Sequence, residues 1–152
     1  MIPASTTPGL LDALARVAER DGIEKAVVGA VIVDKSGKVL LLHRSADDYL
    51  GGLWELPSGG VDPGESLIEA LRREVVEETG LTVQAVGGYL GHFDYRSGSG
   101  RRARQYNFVA TVTGASVKLS EHDDHLWADE DQQGQASSAV RGVLGTWRRL
   151  GA

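Results

Sequence analysis

The chain has 152 residues, no cysteine, and 16 basic against 21 acidic side chains, for a formal charge of −5. That is one domain's worth of polypeptide, without disulfides, thiolate metal sites or a cysteine nucleophile. An acidic balance is the opposite of what clamps a nucleic-acid backbone, so no nucleic acid polymer is expected as a partner, and an anionic ligand would need cations or a local basic patch.

Hydrophobic residues make up 41% and charged residues 24%, as in globular domains, and 20 glycines imply many turns. Residues 1–8 lack the basic and apolar regions of a leader, and the longest apolar run, 26–33, is too short to span a bilayer. These features lead us to expect a cytoplasmic protein with no membrane partner.

Leu10, Leu11, Leu14, Val17 and Ala18 have helical spacing and stop at Asp21-Gly22, which predicts a short amphipathic helix packed on the core or on a second subunit in a homodimer. Residues 26–33 and 38–43 flank a polar turn and predict a hairpin whose first strand is buried on both faces. Residues 45–64 are dense in glycine and proline and read as a loop with short strand pieces. Residues 66–79 form the clearest helix, with Pro63 just before it and Gly80 placed as its cap. Strands are predicted over 83–95 and 105–113, joined by a wide basic loop at 96–104. Val140, Val143, Leu144, Trp147 and Leu150 mark a closing helix with one apolar stripe. The order of elements gives an α+β fold with a mixed sheet.

The helix at 66–79 places its acids unusually. At about 100° per residue, with Leu67 at zero, Glu78 falls near ~20°, Glu74 near about −20° and Glu77 near about −80°, while Leu71, Val75 and Ile68 lie between about 40° and ~100°. Three carboxylates therefore border the buried stripe. They repel one another and resist desolvation, an arrangement that costs stability unless cations occupy it. Hard divalent ions such as Mg²⁺ or Mn²⁺ suit such oxygen ligands. A bare glutamate-rich helix is also compatible with a solvated acidic face.

The surrounding residues distinguish these alternatives. Gly59, Glu65, Arg73, Glu74, Val75, Glu77, Glu78, Gly80 and Leu81 fill every position of G-x5-E-x7-R-E-U-x-E-E-x-G-U, with U aliphatic. A chance match at one starting point is on the order of 10⁻⁹ with ordinary residue usage. In this segment the chain resembles the Nudix hydrolases, and the preceding Gly52-Leu53-Trp54-Glu55-Leu56-Pro57 is similar to the family's usual approach to the box. The resemblance implies an α/β/α sandwich around a mixed β-sheet, here a domain over 24–152 preceded by a helical extension at 1–23. It also implies metal-dependent hydrolysis of a nucleoside diphosphate linked to another group. A nucleoside triphosphate is the first choice of substrate; ADP-ribose or a nucleotide sugar is the nearest rival, and a non-catalytic nucleotide sensor is the alternative of another class. The isopentenyl-diphosphate isomerases built on this fold rely on a cysteine, which this chain lacks.

By the same resemblance, Glu74, Glu77, Glu78 and the Gly59 carbonyl would hold the metal, and Glu65 would reach it through water or brace the loop. Arg73 would orient a glutamate, being placed i, i+4 from Glu77. The proton acceptor for the attacking water is Glu74 or an acid beyond the box, for which Glu121 in segment 119–125 is the candidate, as base or added ligand. His122 and His125 lack a third nitrogen ligand and read as turn residues. Arg101, Arg102 and Arg104 form a basic patch that could catch phosphates or lie in a solvated loop. Trp54, Tyr49, Phe93, Tyr95 and Tyr106 are candidates to stack on a base, with Trp54 preferred over the others although a core role suits it equally. Asn107 is a candidate to read a base edge.

Overall fold

A computed structural model describes residues 8–45, 52–114 and 116–150; Tyr49 lies outside them. Strand β1 (Lys25–Ile32) is the centre of the molecule and explains its layering. Its alternate residues face two cores: Val28, Ala30 and Ile32 enter one and Val31 the other. Strand β2 (Val39–His43) divides in the same way, with Leu40 and Leu42 in the first core and Val39 and Leu41 in the second. Two-sided burial is what makes these strands continuous apolar runs instead of alternating ones.

The hairpin expected from these two strands does not form as a sheet pair. Only an isolated bridge, Val33 to Val39, joins them, after which the chain passes into a second sheet. One sheet has the order β4-β1-β6-β5, with β1 parallel to β6 (Arg102–Thr113) and antiparallel to β4 (Ser58–Gly60), and β5 at Thr82–Arg96. The other is β3-β2-β7, antiparallel throughout, with β3 at Trp54–Glu55 and β7 at Asp124–Ala128. Strand β7 was not expected from the sequence; it places His125 opposite Leu42, in a ladder and not in a turn.

Helices cover both faces. Helix α1 (Pro8–Arg20) turns Leu11 and Leu14 onto the first core, so its apolar stripe packs within the chain. Helix α2 (Leu67–Thr79) adds Ala70, Leu71 and Val75 to that core. Its start is fixed by a capping box, in which Ser66 Oγ accepts from the Glu69 N–H at 3.1 Å and the Glu69 carboxylate accepts from the Ser66 N–H at 2.8 Å. Its end is fixed by Gly80, whose φ of 71° needs no Cβ and whose N–H donates to the Val76 carbonyl. Helix α3 (Ser138–Arg149) lays Val140, Val143, Leu144 and Trp147 on the second core. The result is an α/β/α sandwich. Among the described residues no helix is long and apolar enough to cross a membrane.

The loop between β5 (Thr82–Arg96) and β6 is much tighter than the 96–104 expected, because pairing continues to Arg96 opposite Arg102. A turn at 97–101 closes it, with the Ser97 N–H donating to the Arg101 carbonyl at 2.9 Å.

Candidate active site

The box folds as strand, loop and helix. Strand β4 sets Gly59 opposite Val28, directly against helix α2, where a Cβ on Gly59 would collide with the Glu74 carboxylate. Only glycine permits this approach. On α2 the acids follow the gradient expected from their angles: Glu77 is 55% exposed, Glu74 15% and Glu78 11%.

Arg73 organises the acids more extensively than its spacing suggested. Its guanidinium donates to both oxygens of Glu65 (2.7 and 2.8 Å), to Glu74 (2.7 Å), to Glu77 (3.2 Å) and to the Gly60 carbonyl (2.8 Å). Glu65 also accepts from the Asp62 N–H at 2.9 Å, so it braces the loop. With Arg73 as the chief cause, its carboxyl is held down at about 2.

Glu78 is the contrary case. It accepts one short bond, from the Ser58 N–H at 2.6 Å, and lies beyond the reach of Arg73. Burial pushes its carboxyl up to about 8, and the nearby charges of Glu74 and Glu121 add to the effect. Burial likewise raises Glu74, against the pull of Arg73. The influence of Glu121 on Glu78, and the approach of His122 Nδ1 to within 3.7 Å of Glu78 Oε2, put segment 119–125 against the box. Sequence spacing alone could not show this.

The donors suit a hard divalent cation: three carboxylates on adjacent turns of α2, one of them buried and under net pressure to lose its charge, beside a backbone carbonyl of the edge strand β4. As the side chains stand, however, no three His, Asp or Glu groups among the described residues converge as a ligand set. Glu65 and Glu74 are turned onto Arg73, and Glu78 onto the Ser58 N–H, so a metal would have to draw Glu74 and Glu78 from their present partners.

A groove of about 320 Å³ lies beside the box, reaching it through Ser58, whose N–H binds Glu78, and is walled by Glu55, Phe93, Tyr95, Gln105 and Ser137. Tyr95 and Phe93 offer tilted rings 6.1 Å apart. Glu55 accepts from Ser137 Oγ at 3.1 Å, and its burial raises its pKa. The sequence reading did not single out Glu55; its place in the run of 52–57 was the available signal. None of the box glutamates lines this groove or two other hollows of similar volume, around Trp127 and between α1 and Tyr106, but only this groove includes Ser58, the partner of Glu78.

Three expected substrate residues are occupied elsewhere. Arg104 is a buried strand residue, not a loop cation: it donates to Asp94 at 2.7 and 2.9 Å and to Asp21 at 3.0 Å. Asn107 is fully buried, donating to the Gly91 and Gln105 carbonyls and accepting from Gln105 Nε2 at 2.9 Å, which leaves it no edge for a base. Trp54 packs on the second core and on the His43 ring at 4.9 Å and forms no part of the groove wall. Arg101 reaches back to the Glu24 carbonyl at 2.8 Å.

A family model described as NUDIX domain matches residues 24–139. The chain belongs to the Nudix family. It is 33% identical over 105 residues to the CTP pyrophosphohydrolase of Escherichia coli, covering 69% of this chain and 76% of that one. To the RNA pyrophosphohydrolase of Caulobacter vibrioides it is 45% identical over 126 residues, covering 69% and 72%. It spans under a third of the length of the 8-oxo-dGDP phosphatases that it also matches. Among solved structures, the MutT protein from Methanosarcina mazei superposes with a TM-score of 0.72 at 31% identity, over 85% of this Nudix chain and 96% of that one.

Proposed function

We propose that the chain hydrolyses a nucleoside triphosphate to a monophosphate and pyrophosphate, with Mg²⁺, or Mn²⁺, held by Glu74, Glu77, Glu78 and the Gly59 carbonyl. The observation that carries this reading is the folded box itself: a buried Glu78 whose burial outweighs the charges near it, bonded to the N–H of Ser58, which lines a groove large enough for a small nucleotide. When bound, divalent ions cancel phosphate charge and lower the pKa of water.

The protein's own groups do the rest. Arg73 and Glu65 hold the loop and helix in register. Glu121 accepts the proton of the attacking water, with Glu74 the alternative base. Tyr95 stacks on the base, and Glu55, on the same groove wall, is the acid available to a base edge. The expected setting is the cytoplasm and the expected substrate a small molecule.

The reading is tested by release of phosphate, pyrophosphate and monophosphate from nucleoside triphosphates, nucleotide sugars, ADP-ribose and a 5′-triphosphorylated RNA, each with and without Mg²⁺. Hydrolysis of a free triphosphate that chelator abolishes is expected. Preference for the RNA would overturn the small-molecule assignment, and silence with retained Mg²⁺ binding would favour a sensor.

A further inference from the structure

The segment that carries Glu121 has no regular structure until β7 begins at Asp124; ahead of Glu121 the Lys118 N–H donates to the Thr79 carbonyl at 2.8 Å, and beyond Glu121 the segment is fastened at two more points. One is the approach of His122 to Glu78. The other is a double contact with the last residue of β2: the Asp123 N–H donates to the His43 carbonyl at 3.2 Å, and His43 Nδ1 donates to Asp123 Oδ1 at 2.6 Å. The His43 ring is itself held against Trp54. Trp54 and Glu55 form β3, and the Trp54 carbonyl accepts from the N–H of Ser137, the cap of α3. A side chain two positions from Glu121 is thus tied, through one imidazole, to the strands that also build the groove.

We propose that His43 and Asp123 are positioning residues, a clasp that sets the height of Glu121 over the box. This rests on the reading that Glu121 takes part in hydrolysis. A short charge-assisted bond fixes both the ring and the loop, and a proton acceptor displaced by about 1 Å can lose orders of magnitude in rate. Asn at position 43 can keep the donor, since its amide N–H lies where Nδ1–H does; Leu keeps the apolar contact with Trp54 and loses the donor.

The experiment measures kcat and KM with the best substrate for His43→Leu, His43→Asn and Asp123→Ala, each alone and combined with Glu121→Gln. Amide hydrogen exchange of segment 119–124 is followed in the metal-free proteins. His43→Leu and Asp123→Ala are expected to lower kcat about tenfold with KM within about twofold. His43→Asn should recover most of that loss, and neither clasp variant should add to the Glu121→Gln defect. Exchange should quicken in the Leu and Ala variants but not in Asn. An equal further loss in the Glu121→Gln background, or quickened exchange with unchanged kcat, would overturn the clasp as a positioning device and leave it structural. If Glu121→Gln is fully active while Glu78→Gln is dead, the role of Glu121 falls and the hydrolase reading stands.

Discussion

Two arginines in this protein sit among acids, and their surroundings end differently. Arg104 is buried between Asp94 and Asp21, both of which keep partial contact with water and are held below the usual carboxylate range by the guanidinium. Charge there is matched locally. Arg73 neutralises Glu65 and steadies Glu74 and Glu77, but the acid buried deepest on its helix, Glu78, is met by the Ser58 N–H, the His122 ring at 3.7 Å and the field of Arg44, which do not offset its burial. An ion pair completed inside the fold is structure. A buried acid that its neighbouring cations do not offset marks the place where something from outside completes it.

The contrast is broken most severely at Glu78. Glu78→Gln should lower Mg²⁺-dependent turnover by at least roughly 10²-fold, measured by steady-state kinetics. The same variant should unfold at a higher temperature than the wild type in the absence of metal at pH 8, by a few degrees in calorimetry, because a neutral amide does not suffer the desolvation of a carboxylate.

Arg104→Leu tests the other side. It should cost about 2 kcal/mol, a fall of roughly 4–8 °C in Tm, while kcat changes little, since the two carboxylates it abandons can turn to water. A large loss of kcat with unchanged Tm would reassign Arg104 to the substrate.

The smallest effect is the most diagnostic. Because the Glu78 carboxyl is raised in the folded state to about 8, its burial carries no penalty below its ordinary pKa of 4.5 and a growing one as pH rises towards 8. Asp94 works in the opposite sense: its lowered pKa adds stability above the ordinary value of 3.8, lost as pH falls below it. Urea midpoints of metal-free protein should therefore decline between pH 5 and pH 8 in the wild type, and Glu78→Gln should remove the larger part of that decline, the rest belonging to the raised carboxyls of Glu74 and Glu55. Saturating Mg²⁺ should flatten it in the wild type.

What the sequence disclosed was what depends on neighbours in the chain. The limits of α2, its cap and the burial order of Glu77, Glu74 and Glu78 follow from spacing along one helix. The apolar stripe of α3 is equally local. What escaped were the relations made across the chain. Strand β2 pairs with β7, not β1, and the partner of Leu42 is His125, in a stretch whose polar start looks like a turn. Arg104 seemed to belong to a basic loop because nothing near it in the sequence announces Asp21, its partner at the far end of α1. Asn107 has the strand setting of an exposed polar residue, but the β5 backbone at Gly91 closes over it. Glu55 drew no attention because its partner, Ser137, belongs to the cap of a helix 82 residues away.

The bond between Asp21 and Arg104 also bears on where this protein can be cut. The family model begins at residue 24, three residues after Asp21. A chain trimmed to that boundary would lose the apolar side chains of α1 that roof the first core and strip one of the two carboxylates from a buried guanidinium. Fusion partners and protease sites are therefore best placed ahead of α1, since its thirteen residues belong to the folding unit and do not act as a detachable leader.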